Sequence, residues 1–381
     1  VPGVWNHVEI DGQSLPGFGY GTYRLTVVGA VPGEKLALRI DSVSTAFSLF
    51  LDGQLIAQSG QISQSPAGFV PYNRSQIVEF DVPATEFDLY VQVANYSYAR
   101  GGFWTPFEFG RPAAIHTLNN QFIYKDAILI GMLLVLSLYH LTSFFLFRQA
   151  RTGLYLFVIN LAILFRLAVY GDYLLLRIWP DLPFDALIKT NYLTLYWVPV
   201  LFYLLVDELL PLPGKSRRWN RMLLAYAAIS SIITLFATVK AITALVLPID
   251  AMVLLITLLG LIRIVQSLVY RSTQAYLMLF LLFPIIGFVI HDILYQTNLI
   301  TSRFGELTPV GLVVFLLNLS ILSAIQSTQI KARQLVLENQ LIKAQATETQ
   351  LNAQITELQH YRQQALDNEQ PQARILVVMD A

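Results

Sequence analysis

The chain has 381 residues, 55% of them hydrophobic and 13% charged, with formal net charge zero and no cysteine. Soluble domains carry about 25% charge, so this composition, with a mean hydropathy of +0.54, excludes a disordered chain, a nucleic-acid-binding domain and a typical cytosolic enzyme. The missing cysteine excludes disulfides, thiolate metal sites and a cysteine nucleophile. The first residues, Val1-Pro2-Gly3, show neither the basic nor the apolar stretch of a secretory signal.

Residues 1–115 have period two. Tyr23, Leu25 and Val27 fall on one face, as do Leu36, Leu38 and Ile40, then Val78, Phe80 and Val82, then Leu89, Val91 and Val93. Such alternation marks half-buried strands. Asp52-Gly53 separates two apolar runs and signals a two-residue hairpin, because both residues tolerate positive φ. The pattern predicts an all-β sandwich.

Seven apolar runs follow, at 124–147, 153–176, 190–210, 222–239, 244–263, 275–296 and 308–328. Each approaches the ~20 residues a helix needs to cross a bilayer. Residues 116–123 are expected to link the two domains. Arg148, Arg151, Lys215, Arg217, Arg218, Arg221, Arg271, Lys331 and Arg333 gather at one side of the spans; Arg177, Lys189, Lys240 and Arg303 lie at the other. The richer side is expected in the cytoplasm, which places the sandwich in the periplasm of a multi-pass inner-membrane protein.

Residues 329–367 carry a heptad. Ile330, Leu337, Ala344, Leu351, Leu358 and Ala365 occupy one position, and Gln334, Leu341, Glu348, Ile355 and Arg362 the other. The spacing predicts a parallel coiled-coil dimer seamed by Ile330, Leu337, Leu341, Leu351, Ile355 and Leu358; a single helix is the alternative. Residues 368–381 are expected to contain a linker and, in Ile375-Leu376-Val377-Val378, the first strand of a truncated output domain.

The order of these parts resembles the bacterial seven-transmembrane receptors with diverse intracellular signalling modules. The resemblance rests on Phe18-Gly19-Tyr20-Gly21-Thr22-Tyr23-Arg24-Leu25, Leu51-Asp52-Gly53-Gln54, Val93-Ala94-Asn95-Tyr96-Ser97-Tyr98 and Gly101 to Gly110 in the outer domain. In the membrane it rests on Gly131, Leu138-Tyr139-His140, Thr152-Gly153-Leu154-Tyr155-Leu156-Phe157 and Tyr170-Gly171. It covers residues 15–330 and implies a galactose-binding-like jelly-roll ectodomain and a cytoplasmic output module. Other seven-helix classes fit less well. The last span has no retinal-linking lysine, and Val206-Asp207-Glu208-Leu209-Leu210 stands where a G-protein-coupled receptor has its acid-Arg-Tyr motif.

Tyr72, Arg74, Tyr96, Tyr98, Arg100 and Trp104 are the ectodomain ligand candidates. Aromatic faces stack on sugars, and guanidinium groups bond hydroxyls or carboxylates. The same aromatics also suit capping the sandwich core or resting on the outer ends of the helices, the commoner use of aromatics in small β-domains. Within the bundle, Arg166, Asp172, His291 and Asp292 share one leaflet level and carry opposite charges. Ionisable groups at such depth are costly, so they either line an outward-facing pocket or fix interhelical packing. No catalytic set, cofactor or metal site is read; the five histidines lack ligand spacing. The expected partners are membrane lipid, a second copy and a small polar periplasmic ligand such as a carbohydrate, and not nucleic acid. The expected function is transmembrane signalling without enzymatic activity in this stretch; a transporter or intramembrane enzyme using the four-residue cluster is the alternative.

Overall fold

The computed structural model describes residues 3–10, 12–41, 43–103, 105–146, 151–210, 212, 217–270, 273–296, 299–300, 302 and 304–369. Trp104, the basic residues Arg148, Lys215, Arg271 and Arg303, and the expected strand at 375–378 lie outside them.

Eleven strands precede the helices among the described residues: β1 (Gly3–Val4), β2 (Glu9–Ile10), β3 (Gln13–Ser14), β4 (Gly19–Val28), β5 (Lys35–Ile40), β6 (Ala46–Leu51), β7 (Gln54–Ser59), β8 (Gln76–Asp81), β9 (Glu86–Asn95), β10 (Gly102–Phe103) and β11 (Glu108–Gly110). A four-stranded sheet ordered β4-β9-β6-β7 faces a three-stranded sheet ordered β11-β5-β8, with every pairing antiparallel. This is the expected jelly-roll-type sandwich. Its core takes Leu36, Leu38 and Ile40 from β5, Phe80 from β8, Phe47 and Leu49 from β6, and Phe87, Leu89, Val91 and Val93 from β9. Tyr23 and Val27 of β4 pack against this core, whereas Leu25 on the same face is 61% exposed. β4 is an edge strand of the wider sheet, and the narrower sheet leaves Leu25 uncovered. Asp52 (φ 47°) and Gly53 (φ 86°) form the expected turn between β6 and β7.

The helices are α1 (Pro112–Leu146), α2 (Arg151–Val169), α3 (Leu174–Ile178), α4 (Phe184–Leu209), α5 (Arg217–Phe236), α6 (Val239–Ala244), α7 (Val246–Val269), α8 (Thr273–Gln296) and α9 (Thr308–Glu369). Seven of them are long and apolar enough to cross a membrane: α1, α2, α4, α5, α7, α8 and the first part of α9. The fourth and fifth spans, separated by few residues in the sequence, are distinct helices with the six-residue α6 between them.

Two of the boundaries that differ from expectation bear on the site. Residues 116–123 form no separate linker: α1 starts at Pro112, where a missing N–H costs nothing, and runs directly from β11 into the membrane span. The second span ends at Val169, not 176. Gly171 (φ 68°) and Tyr173 (φ 50°) take left-handed conformations that stop α2 and start α3 in a new direction.

By contacts the chain forms two units, residues 1–320 and 321–381. In the second unit α9 continues as a helix to Glu369. Leu337, Leu341, Leu351, Ile355 and Leu358 all stand exposed along it, and the side chain of Ile330 is not among those described.

Candidate functional site: the seam between sandwich and bundle

β5 is buried on both faces. Leu36, Leu38 and Ile40 enter the sandwich core, while Ala37 and Arg39 face the other way and are covered by the start of α1. Ile115, Asn119 and Phe122 of α1 are all buried. They recur at four- and three-residue spacing, so they lie on one side of the helix.

Arg39 is 3% exposed and joins four pieces of the chain. Its Nη2 donates to Asp172 Oδ1 at 2.5 Å, in the turn between α2 and α3. Its Nη1 donates to Glu108 Oε2 at 3.2 Å, its register partner on β11. Its Nε donates to Asn119 Oδ1 at 3.3 Å, and the guanidinium lies over the Phe122 ring, 4.6 Å from its centroid. Desolvating a charge costs several kcal/mol unless its hydrogen-bonding capacity is met; here three acceptors meet it. The surplus charge nearby is negative. Burial pushes the Asp41 carboxyl up to about 7; Arg39 opposes the shift, while Asp172, Glu108 and Glu306 add to it. Burial also raises Glu108, against the pull of Arg39.

The same stretch of α1 holds the start of α9. Lys125 donates to the carbonyls of Phe304 at 3.0 Å and Glu306 at 3.1 Å and pairs with the buried Asp126 at 3.6 Å. Gly305, at φ 63°, lies so close to Phe122 that an added Cβ would stand 2.9 Å from the ring. Asp292 of α8 accepts from the backbone N–H of Leu307 and of Thr308, both at 2.7 Å. It thereby caps α9 with a carboxylate at the positive end of the helix dipole. A run of direct contacts therefore leads from Arg39 through Phe122 and Lys125 to residues 304–308.

The loops of the sandwich also rest on the helices. Tyr72 Oη donates to the Pro180 carbonyl at 3.0 Å, and Asn73 Nδ2 to Tyr173 Oη at 3.3 Å. The Tyr98 side chain is hydrogen-bonded to Tyr192 of α4, and the Ala99 N–H donates to Thr243 Oγ1 of α6 at 2.9 Å. Lys240 lies 4.0 Å over the Phe18 ring.

The described ectodomain candidates Tyr72, Arg74, Tyr96, Tyr98 and Arg100 have separate surroundings. Tyr72 and Tyr98 contact the bundle, and Tyr96 packs edge-on against Phe69 at 5.3 Å. Arg74 is exposed, and the Arg100 carbonyl accepts from Ser44 Oγ. The four intramembrane candidates each have their own hydrogen-bond partners. Arg166 donates to Asn191 Oδ1 at 2.8 Å and lies over Tyr170; Asp172 belongs to Arg39, and His291 and Asp292 bond each other. Among the described residues Arg166 makes no ion pair with the other three. The reason is the break at Gly171, which carries Asp172 out of α2 toward the sandwich.

Sequence reasoning missed Arg39, Glu108 and Lys125. It also missed a second buried pair, Asp207 of α4 with Arg263 of α7, which Asn220 of α5 joins at 2.8 Å. A signal was present for that pair: Arg263 interrupts the apolar run Leu261-Ile262-Arg263-Ile264-Val265, and an isolated charge there needs a partner. Among the described residues no group of three or more His, Asp or Glu is placed to hold a metal ion.

Fold and contacts together define a seven-helix membrane protein whose β-sandwich is seated on the bundle by a buried ionic seam. The profile of the family described as 7TM diverse intracellular signalling matches residues 123–326, just over half of the chain, and the chain belongs to that family of seven-helix membrane receptors. None of the curated proteins matches it. Among solved structures, a glycosyl hydrolase family 2 member from Bacteroides cellulosilyticus is 16% identical over 29% of this chain and 16% of its own, with TM-score 0.22. A family 2 β-galacturonidase from Eisenbergiella tayi is 14% identical over 28% of this chain and 23% of its own, with TM-score 0.20. A β-glucuronidase from Lactobacillus rhamnosus is 24% identical over 26% and 16%, with TM-score 0.18. The chain thus spans less than a quarter of the length of each, and similarities this slight carry no weight for its function.

Proposed function

We propose that the chain is a signalling receptor of the bacterial inner membrane, with the sandwich in the periplasm and the end of α9 in the cytoplasm. A small polar ligand acts on the sandwich, and the seven helices pass the change to α9. Two copies of α9 pair beyond the membrane as a parallel coiled coil that drives an output module. The observation that carries this reading is the ionic seam: one buried arginine fastens β5 and β11 to α1 and to the turn after α2. The next turn of α1 grips the loop that starts α9.

The orientation is supported by the sequence positions of Arg218, Arg221, Lys331 and Arg333, which flank the spans on one side in chain order, against Arg177, Lys189 and Lys240 on the other. The dimer is supported by the apolar heptad seam, which a lone helix has no use for. The transporter and enzyme alternatives are less favoured, because Arg166 is engaged with Asn191, Asp172 with Arg39 and Asp292 with the start of α9. A ligand that engages Tyr72 or Tyr98 competes with Pro180 or Tyr192 for them. Binding and seating of the sandwich are then opposed, and ligand shifts the population toward the unseated state.

The test uses the absence of native cysteine. Ala99→Cys with Thr243→Cys, crosslinked by a short bifunctional reagent, ties the sandwich to α6 in a receptor carrying a reporter output module. The crosslinked receptor is expected to stop responding and to respond again once a cleavable crosslink is cut. An unchanged response with complete crosslinking refutes the reading.

A further inference from the structure

Among the described residues at the start of α5, the exposed charged side chains are Arg218 and Arg221. The first turn of α5 holds no acidic residue, although the positive end of a helix dipole favours one. Arg218 and Arg221 stand there instead. With Met222 and Ala225 they line an open groove of about 380 Å³. The four are spaced i, i+3, i+4 and i+7, so they form one stripe along the helix, and all four are exposed. Charge comes first along the stripe and apolar surface follows it into the membrane-spanning part of α5, Arg218–Phe236. Trp219 is exposed at the same level, as indoles are at a headgroup boundary. Among the described residues Arg218 makes no ion pair or hydrogen bond. Between the two arginines in the sequence, Asn220 reaches the other way to Asp207, so the groove backs onto the contact that ties α5 to α4.

We propose that this groove binds the phosphate group of an anionic phospholipid, with Arg218 and Arg221 on the phosphate and Met222 and Ala225 beneath the first methylenes of an acyl chain. The order of charge and apolar surface along the stripe selects an amphiphile over a free anion. The site rests on the membrane reading given above, with this end at the inner leaflet. An anion there also offsets the basic start of α5 and steadies the helix that meets Asp207.

The full chain, delipidated in a neutral detergent, is titrated separately with dioleoyl phosphatidylglycerol, dioleoyl phosphatidylcholine and inorganic phosphate. Melting temperature and native mass spectra are the readouts. Phosphatidylglycerol is expected to raise the melting temperature and stay bound, and the other two to do neither. Each basic side chain near an anionic surface contributes about 1 kcal/mol, so Arg218→Gln with Arg221→Gln is expected to weaken phosphatidylglycerol about thirty-fold. Arg218→Lys with Arg221→Lys is expected to retain most of the binding, and Arg177→Gln all of it. Equal phosphatidylglycerol binding in wild type and the double glutamine variant overturns the site. No preference over phosphatidylcholine in wild type overturns it without any variant. A phosphate-induced shift that the double variant loses overturns the lipid assignment in favour of a soluble phosphate. Because no readout involves signalling, failure here leaves the crosslinking test of receptor function standing, and the reverse holds as well.

Discussion

Arg39→Met removes the buried guanidinium at the centre of the seam while keeping most of its apolar stem. Arg39 is 3% exposed and its principal partner Asp172 is 7% exposed, so neither gains much water when the pair is broken. Asp172 is left as a buried charge without its counter-ion, Glu108 loses two donor contacts and Asn119 one. Removing one partner of a buried ion pair typically costs about 3–5 kcal/mol, a large share of a total stability that is itself about 5–15 kcal/mol. The loss is expected to be local at first: the sandwich and the bundle each keep their own cores, so the seam opens before either melts. Hydrogen exchange on the detergent-solubilised protein is the assay. Amides of residues 37–40 and 108–122 are expected to exchange faster by a factor of about 100 or more, at about 1.4 kcal/mol per tenfold, while Tyr192 to Leu204 in the middle of α4 keep their protection. Arg39→Met combined with Asp172→Leu is expected to recover much of the loss, because it exchanges a stranded charge for apolar packing. Unchanged exchange across the seam in Arg39→Met, or a double variant worse than the single, refutes the assignment of Arg39 as the fastener.

Asp41 holds its proton to about pH 7 in the folded protein against about 3.8 unfolded, so the folded state carries more protons in that window. The contribution of Asp41 to stability is therefore expected to be greatest below pH 4, to fall by up to roughly 1.4 kcal/mol per pH unit toward pH 7, and to level off above it; Asp41→Asn should remove this component from thermal melts across that range. Asp292→Ala removes the cap on α9 and is expected to cost about 1–2 kcal/mol, with faster exchange confined to residues 307–311. Asp207→Ala strands Arg263 and is expected to lower the melting temperature more than Asp292→Ala does. Glu348→Leu removes a like-charge pair from the proposed dimer seam and is expected to strengthen crosslinking between cysteines introduced at 341 and 355; unchanged crosslinking sinks the parallel, in-register arrangement.

Period and length made the sandwich and the seven spans legible, because each depends on a local repeat. The alternation Leu36, Leu38, Ile40 marks β5 whatever surrounds it, and the run in α8 is apolar enough to read alone. The seam was not legible for the same reason. Arg39 sits on the off-core register of β5, where a basic residue reads as solvent-facing; only the arrival of α1 turns that face into an interior. Gly171 showed where a turn could fall but not that the turn would hand Asp172 to a residue 133 positions earlier in the chain. The aromatics Tyr72 and Tyr98 were visible as unusual, and both uses open to them looked alike from composition. Their contacts with Pro180 and Tyr192 become visible only once the helices are in place.

The 35 residues of α1 span about 52 Å at ~1.5 Å per residue, well beyond the ~30 Å of a hydrocarbon core. The surplus is a rigid mast continuous with β11, and rigidity gives it angular phase. Each residue added between Thr117 and Tyr124 would swing the sandwich by about 100° about the helix axis. Insertions of one to four residues would therefore sample the compass: two would carry Arg39 to the far side of the mast from the turn it grips, and four would bring it almost back into line, one turn farther from the membrane. A mast of this kind would carry a rotation at its top down to its foot.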